Sequence, residues 1–385
     1  MSINFNINIL RQLVEQHPQK GADVKAKFPR INEWQQETQK PTINQLIGLA
    51  SYFHIPFGYF FLKKMPIEEY PIPHYRTKGN VLFEPSQELL ETIQIIEHRQ
   101  NWAKDVLIDR KENPLSFANS ITIKTPIKTA AQIIRDTLGV HENWAKHTNF
   151  DTWYDAFKFL VSRVEYAGMY VVINGIVANN THSKLDTNEF RGFVLFDEYA
   201  PFIFINNNDF ISAKIFTLIH EVAHVLIGKS ASFDYHDLQP ANNAIEEFCD
   251  AVAAEFLVPA ESLLHYFKKA GKDYQALAQI YKVSKIVIIR RLLDLEKISY
   301  SEFIDALKSF RVYKTELQKQ PDDKKGGGDF YNTAPYRISK RFFNLIYNAI
   351  QQDRVLYREA FRLTGLTPRT FDGYVERFIT KAPND

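Results

Sequence analysis

The segment that most constrains this chain is the apolar run at residues 217–227, TLIHEVAHVLI, which carries two histidines four positions apart. The spacing of its apolar residues predicts a helix from Lys214 to Ile227. On that helix His220 and His224 project from one face about 6 Å apart, close enough to bind a single metal ion. The run has the HExxH pattern and therefore predicts a metal-binding helix, with Glu221 lying between the two ligands in the sequence.

A catalytic zinc site needs a third protein ligand and leaves a fourth position for water. The downstream run AIEEFCDAVAAEFLVP holds Glu246 and Asp250 four positions apart, so one helical face offers both carboxylates. We assign Glu246 as the third ligand and Asp250 as a hydrogen-bond partner of a ligand histidine. Glu247, rotated by roughly 100° on the same helix, is the alternative ligand. His236 and Asp237 are weaker alternatives because their segment has an irregular pattern.

Zinc chemistry gives Glu221 a role. Bound zinc lowers the pKa of water towards about 7, and a carboxylate beside it can accept the proton while the oxygen attacks a peptide carbonyl. The competing explanation is a chance HExxH in a chain with 11 histidines. The apolar flanks and the downstream Glu-x-x-x-Asp helix argue against chance. The sequence therefore predicts a zinc-dependent peptidase centre with Glu221 as the general base.

The length and the cysteine content limit the remaining possibilities. A chain of 385 residues exceeds one typical core, which predicts two or three domains. The single cysteine, Cys249, excludes an internal disulfide framework and a cysteine-rich zinc ribbon, and it is most simply a small buried residue. The N-terminus does not resemble a secretion signal, so we expect a cytoplasmic protein. No stretch is apolar enough to predict a membrane role.

Strand patterns come directly before the metal-binding helix. They cover Met169–Ile173, Phe190–Phe196 and Phe202–Ile205, and the last two are separated by a short hairpin loop. Helical patterns precede and follow them, so the predicted fold class is α+β with a small sheet. We expect a peptide substrate to add as a strand beside Phe190–Phe196 or Phe202–Ile205.

Proline-rich and glycine-rich passages divide the chain. Prolines break the helical pattern repeatedly up to Leu62, which indicates a compact all-helical module. A proline-rich passage and the run QPDDKKGGG indicate two linkers. The predicted parts are a helical module at 1–65, a linker at 66–80, the metal-binding domain at 81–318, a flexible linker at 319–329 and a helical C-terminal extension at 330–385.

Three runs carry a resemblance to a known family. NEFRGFVLFDEYAPFIFIN, FTLIHEVAHVLIG and EEFCDAVAAEFLVP occur in the order and spacing of the ImmA/IrrE-type metallo-endopeptidases, and the resemblance covers roughly residues 70–310. It implies a gluzincin-like zinc peptidase domain whose third ligand is the glutamate of the last run, here Glu246. Family members typically carry asparagine or aspartate where Asp250 stands.

The N-terminal module shows a second resemblance. The segment PIPHYRT, at 71–77, resembles the one that joins a Cro/CI-repressor-like (XRE-type) helix-turn-helix domain to the peptidase domain in longer family members. The run INEWQQETQKPTINQLIGLASYFHIPFGYFFL resembles such a domain and implies a recognition helix at about Arg30 to Glu37. The sequence departs from the pattern at HPQKGADVKAKF, and the glycine usual after the recognition helix is replaced near Glu37-Thr38.

DNA contacts would come from polar side chains that reach base edges. The available set is Arg30, Asn32, Gln35 and Gln36. Residues 1–65 hold eight Lys/Arg against four Asp/Glu, a mild basic excess. Because this excess is small, we expect DNA binding to depend on a homodimer that reads two half-sites. The alternative is a degenerate helical module that contacts proteins.

The C-terminal extension resembles one found on some long family members, and two interpretations of it stay open. A helix, Gly365 and a further helix from Thr367 are typical of a packed helical hairpin. A second DNA-binding unit is the alternative, because the stretch carries several arginines, namely Arg358, Arg362, Arg369 and Arg377. The helix-turn-helix rhythm at 276–293 is interpreted as part of the peptidase domain.

Two classes of function follow from these patterns. The first is a regulatory peptidase, whose N-terminal module brings the zinc site to a protein substrate such as a repressor or a toxin-like partner in a toxin-antitoxin, stress or phage response. The second is a non-proteolytic transcriptional repressor or antitoxin that uses the peptidase fold to bind a partner. Glu221 argues against the second, because a purely structural site has no need of a base.

Overall fold

A computed structural model of the chain describes a defined set of residues: 5–16, 21–53, 57–62, 64, 85–148, 150–228, 231–233, 244–308 and 336–377. The chain forms two compact units, Met1–Tyr70 and Pro71–Asp385. The predicted linkers at 66–80 and 319–329 lie outside the described residues.

The first unit is helical. Its elements are α1 (Ile7–Gln16), α2 (Gly21–Lys27), α3 (Ile31–Gln35), α4 (Ile43–Phe53) and a 3-10 turn at Phe57–Phe61. Each of the four helices and the 3-10 turn contributes buried apolar side chains to the core of this unit. They include Leu10, Val24, Trp34, Leu49 and Phe60.

The helix expected at Arg30–Glu37 is shorter in the structure. Arg30 and Gln36 flank α3 as its N-cap and C-cap residues. Glu37 then adopts a left-handed conformation with φ of 60°. This is the conformation that glycine favours after a helix, so the chain keeps the turn although the glycine is replaced.

The second unit contains a four-stranded sheet in the order β1-β5-β4-β6 and a two-stranded hairpin, β2-β3. Strands β1 and β5 are parallel, whereas β4 is antiparallel to both of its neighbours. The sequence predicted β1, β4 and β5 to within two residues at each end; β2, β3 and β6 were not predicted. The bounds are β1 Tyr170–Asn174, β2 Ile176–Val177, β3 Asn180–Lys184, β4 Gly192–Leu195, β5 Phe202–Asn206 and β6 Ala231–Phe233.

The strand order corrects the expected position of a peptide substrate. Phe202–Asn206 lies between two strands, so its backbone is already paired on both sides. Gly192–Leu195 pairs with β5 on one side and with β6 on the other. A short segment that follows the metal-binding helix therefore occupies the edge that we expected to be open, and the expectation of strand addition at these two positions is wrong for this structure.

Helices cover both faces of the sheet, which confirms the α+β fold class. The helix of the HExxH run, α9, ends at Gly228, whose left-handed φ of 78° allows its amide to donate to the carbonyl of His224. The helices of this unit are α5 Gln87–Asp109, α6 Ile127–Leu138, α7 Trp144–His147, α8 Trp153–Tyr166, α9 Ile211–Ile227, α10 Ala244–Leu257, α11 Ala260–Ala270, α12 Tyr274–Tyr281, α13 Lys285–Asp294, α14 Lys340–Gln351, α15 Tyr357–Thr364 and α16 Pro368–Val375.

Alternating side chains of the strands separate two cores. Val171 and Ile203 belong to one core together with α6, α8, α9 and α10. Tyr170 and Phe202 point to the other face and belong to a second core with α5 and the C-terminal helices. The sheet is therefore buried on both faces, which explains why β1 and β5 are continuous apolar runs.

The C-terminal helices complete the second core. Phe342 of α14 is fully buried, and its ring centroid lies 5.4 Å from that of Phe202 and 5.7 Å from that of Trp102. The turn between α15 and α16 contacts the β2-β3 hairpin. There the Asn179 side chain donates a hydrogen bond to the carbonyl of Gly365 at 2.7 Å. This packing fits the interpretation of the segment as a packed helical hairpin.

No helix among the described residues combines the length and the apolar character that crossing a membrane requires.

Replacing Phe342 with alanine should lower the free energy of unfolding by about 3–5 kcal/mol, because the change leaves a cavity between α14 and the sheet. Urea unfolding followed by circular dichroism would measure the loss. The matched control is Leu356→Ala on the same extension, whose side chain is 78% exposed and should matter by less than about 0.5 kcal/mol. Equal stability of the two variants would show that the extension does not contribute to the core.

Candidate metal centre

The first component of the centre is α9. Every residue of this helix from Lys214 to Ile227 is buried, and the side chains of His220, Glu221 and His224 are fully enclosed. Buried polar groups need partners, since an unsatisfied one costs about 1–3 kcal/mol. The partners of these histidines come from α10, which packs against α9.

Glu246, in the first turn of α10, faces both histidines. Its Oε2 lies 3.1 Å from Nε2 of His220, and its Oε1 lies 3.3 Å from Nε2 of His224. The two Nε2 atoms are themselves 3.0 Å apart. Three ligand atoms, two imidazole nitrogens and one carboxylate oxygen, thus lie within 4.8 Å of one another. Within the described part of the chain, these are the residues grouped so that they could hold a metal ion.

Asp250, one turn further along α10, contacts the opposite side of the His220 ring. Its Oδ1 lies 2.8 Å from Nδ1 of His220. A carboxylate at this position holds the proton on Nδ1, so Nε2, which faces Glu246 and His224, is the ring nitrogen placed to bind a metal ion. Asp250 therefore orients His220 from behind and does not join the three ligand atoms.

The pKa directions follow from burial and from these contacts. Burial lowers the pKa of His220, but hydrogen bonds to Asp250 and Glu246 outweigh it and raise the pKa to about 10. Burial lowers the pKa of His224 below its ordinary value. For Glu246, burial acts to raise the pKa, and the two histidines overcome that effect and lower it. Glu246 is thus an anion beside two imidazoles, a suitable charge for a divalent cation.

Unsatisfied atoms in the centre test whether a metal would fit. Among the described residues, Nδ1 of His224 and both carboxylate oxygens of Glu221 are buried without a hydrogen-bond partner, and Oε1 of Glu246 has only the 3.3 Å contact with Nε2 of His224. Two imidazole nitrogens facing each other at 3.0 Å also cannot both be acceptors without a cation or a proton between them. A set of two nitrogens and one carboxylate oxygen is a ligand set that zinc accepts, so the residues present fit the ion.

Glu221 lies on the same helix but outside the three-ligand group. Burial raises its pKa well above the ordinary value for a glutamate. A neighbouring dication would favour its ionised form, because an opposite charge stabilises the carboxylate. Both oxygens of this buried carboxylate have no hydrogen-bond partner among the described residues.

Gly192 of β4 is a residue of the site that the sequence analysis missed. A Cβ atom at this position would lie 2.6 Å from Cγ2 of Thr217, 2.8 Å from the carbonyl of Phe204 and 3.4 Å from Oε1 of Glu221. Only glycine lets the strand approach α9 this closely. The sequence does contain a sign of this contact, because an isolated glycine within a strand pattern often marks a close approach of another backbone or helix.

The alternative ligands are placed differently. Glu247 is exposed and is not part of the three-ligand group. His236 and Asp237 lie outside the described residues. Cys249 is fully buried in the core, and burial raises the pKa of its thiol, so it is a packing residue without nucleophilic character.

The four candidate DNA-contacting residues lie in and beside α3, in the separate first unit. Arg30, Asn32 and Gln36 are exposed, and Gln35 is half-buried. The Arg30 side chain donates to Oε1 of Gln39 at 3.3 Å. The carbonyl of Gln35 accepts from Nε of Arg11 at 3.0 Å, which ties the end of α3 to α1. Three side chains of the set are therefore exposed to solvent, and one of them, Arg30, also forms a hydrogen bond.

Comparison with known proteins gives two family matches. Residues 164–293 match the model of the family described as the IrrE N-terminal-like domain, Peptidase_M78. This segment contains the sheet, α9 and α10, and hence every residue of the centre, and the match supports the resemblance to ImmA/IrrE peptidases there. Residues 338–377, which hold the C-terminal helices, match a domain of unknown function, DUF8813. No curated protein matches the chain.

Purified protein should contain about one zinc ion per chain. His220→Ala, His224→Ala and Glu246→Ala should each lose most of it, because removing one of three ligands strongly weakens such a site. Asp250→Ala should bind zinc about 10–100-fold more weakly, since it removes the acceptor that orients His220. Metal analysis of dialysed protein would measure both effects.

The matched control for the metal analysis is Glu247→Ala, which removes an exposed carboxylate from the same helical turn and should retain the zinc. Zinc loss in this variant together with retention in Glu246→Ala would reverse the assignment of the third ligand.

Proposed function

We propose that this protein is a zinc-dependent endopeptidase. The observation that carries the proposal is the convergence of His220, His224 and Glu246 on one point beside a buried carboxylate, Glu221, that has no structural partner among the described residues. A structural zinc site uses four protein ligands and needs no base, whereas this group supplies three ligands and a base. The Peptidase_M78 match over the same segment supports this choice.

When bound, a zinc ion acts as a Lewis acid that polarises the peptide carbonyl and makes water a stronger acid. Glu221 accepts the proton of the attacking water and passes it to the leaving amine. Asp250 keeps the His220 ring in place throughout, because its carboxylate bonds Nδ1 at 2.8 Å. The buried surroundings of Glu221 limit competing solvent and strengthen these electrostatic contacts.

Changing Glu221 to glutamine should leave zinc content and unfolding unchanged, because the amide preserves the shape of a side chain that bonds no described residue. Peptide hydrolysis should fall by about 10²–10⁴-fold, the usual contribution of a general base. The measurement is cleavage of a peptide library by the zinc-loaded protein, followed by mass spectrometry.

The control for this experiment is Glu247→Gln, which makes the same chemical change at an exposed position of α10. It should cleave at the rate of the unchanged protein. Full activity of the Glu221→Gln variant would disprove the enzymatic function and favour a peptidase fold used for partner binding.

The natural substrate, in this proposal, is a regulatory protein such as a repressor or a toxin-like partner. The support is the presence of a separate helical unit, Met1–Tyr70, which is joined to the unit that holds the metal centre. Such a unit can bring a peptidase to a chosen protein or DNA site while the chemistry stays elsewhere. The exposed side chains of Arg30, Asn32 and Gln36 are the groups offered to DNA.

Removing the exposed charge of Arg30 by substitution with alanine should weaken binding to the promoter of the protein's own operon, because base and phosphate contacts of arginine contribute about 1–3 kcal/mol. Glu221→Gln should leave that binding unchanged. Gel-shift titration at several salt concentrations would measure it, and analytical ultracentrifugation would show whether a homodimer binds. Equal DNA binding by the full chain and by a chain lacking residues 1–65 would contradict the DNA-binding proposal.

A further inference from the structure

A cavity of about 380 Å³ lies in the second unit, between the sheet layer and the C-terminal helices and away from the metal centre. The end of α5, the end of α8, strand β1 and the first turns of α14 line it. Its size falls at the lower end of the range for small-molecule sites, roughly 300–1,000 Å³. Neither the metal centre nor the proposed peptidase chemistry uses this cavity.

Three cationic side chains line the cavity: Arg110 at the end of α5, and Lys340 and Arg341 at the start of α14. Among the described residues, none of the three forms an ion pair with a carboxylate. Two of them also have unsatisfied atoms, because Nε and Nη2 of Arg110 and Nε of Arg341 are buried without a described hydrogen-bond partner. The lining holds three cations against two carboxylates, Glu112 and Glu165, so its charge favours an anionic ligand.

The two acidic residues of the cavity form no ion pair with these cations among the described residues. Burial raises the pKa of Glu165, and its Oε1 already accepts a hydrogen bond from the Ser339 hydroxyl. Glu112 is exposed to solvent, which screens its charge. Arg341 instead donates from Nη1 to the backbone carbonyl of Glu165 at 3.3 Å, and its guanidinium packs over the ring of Tyr170 at 5.3 Å.

The cavity lining also contains amide side chains and an aromatic ring. Asn344 and Asn348 follow Lys340 at four-residue intervals along α14, so their exposed amides lie on one face of the helix towards the cavity. Tyr166, also in the lining, leaves 81% of its surface exposed. An exposed aromatic ring can stack on a planar heterocycle, and asparagine amides can both donate to and accept from its edge.

We propose that this cavity binds a small phosphorylated molecule with a planar ring, of which a mononucleotide is the best-fitting class. The phosphate lies among Arg110, Lys340 and Arg341, where planar guanidinium groups bind its oxygens in pairs. The ring lies towards Tyr166 and the two asparagines. Because the ligand contacts both α8 and α14, its binding stabilises the docking of the C-terminal helices on the domain that holds the metal centre.

The test uses the full zinc-loaded chain with AMP, adenosine and inorganic phosphate as separate probes, followed by calorimetry and thermal unfolding. AMP should bind and raise the unfolding temperature. Adenosine, which lacks the phosphate, and inorganic phosphate, which lacks the ring, should each bind at least about tenfold more weakly. AMP binding should also weaken as salt is raised, since the contact is largely electrostatic.

Variants assign the binding to the cavity. Arg110→Gln and Lys340→Gln should each weaken AMP binding by about tenfold or more, the usual effect of losing a charged hydrogen bond. Arg358→Gln makes the same charge change on an exposed position of the extension outside the cavity and should bind AMP normally. Glu112→Gln removes an exposed, solvent-screened charge of the lining and should change AMP binding by less than about threefold. Lys340 and Glu112 are exposed, so these two changes do not threaten folding.

Several results would overturn the proposal. These are equal affinity for AMP and adenosine, equal loss of AMP affinity in Arg358→Gln and Lys340→Gln, or no AMP binding to a folded chain. Tighter binding of a single-stranded oligonucleotide than of AMP would instead assign the surface to nucleic acid. None of these outcomes depends on peptidase activity, because the cavity residues do not contact His220, His224 or Glu246.

Discussion

The burial of α9 from Lys214 to Ile227 is the constraint on which the centre depends. A helix that carries two histidines and a glutamate with no exposed surface must find polar partners inside the protein. Those partners come from α10, which offers Glu246 to the two Nε2 atoms and Asp250 to the far side of the His220 ring. The crossing of α9 and α10 is thus fixed both by apolar packing and by this small polar group, whose geometry suits a divalent cation.

The sheet, like α9, must be enclosed by other elements of the second unit. Because its strands are apolar on both faces, each face must be covered. Helices α8 and α9 cover one face, and α5 with the C-terminal helices covers the other. One family match includes the sheet with α9 and α10, and the other covers the C-terminal helices that pack on the far face of that sheet. Two separately recognised segments therefore share one apolar core.

Local patterns predicted what depends on local sequence. The HExxH helix and the pair Glu246 and Asp250 followed from the four-residue spacing of side chains along a helix, and β1 and β5 followed from apolar runs bounded by turn residues. The position of Glu246 opposite the histidines is a long-range contact, which the family resemblance supported and spacing alone left open against Glu247. The roles of these residues in metal binding and catalysis stay predictions.

Features built from distant segments were not predicted. The pairing of β6 with β4 joins a three-residue strand, too short to show an alternating pattern, to a strand some forty residues earlier. The cationic cavity combines α5, α8, β1 and α14, which lie up to about 240 residues apart in the chain. No local periodicity indicates that Arg110 and Arg341 line one space, because each alone has the pattern of an ordinary surface residue.

Gly192 has a mechanical consequence for Glu221. Thr217 and Glu221 of α9 lie so close to this glycine that no gap remains between strand and helix. Protein interiors compress little, so a closed contact transmits displacement instead of absorbing it. Gly192 pairs with Ile205 on β5, the same strand that carries Phe202 against Phe342 of the C-terminal helices. A change in the spacing between the sheet and its far layer would therefore reach the side chain of Glu221 through Gly192.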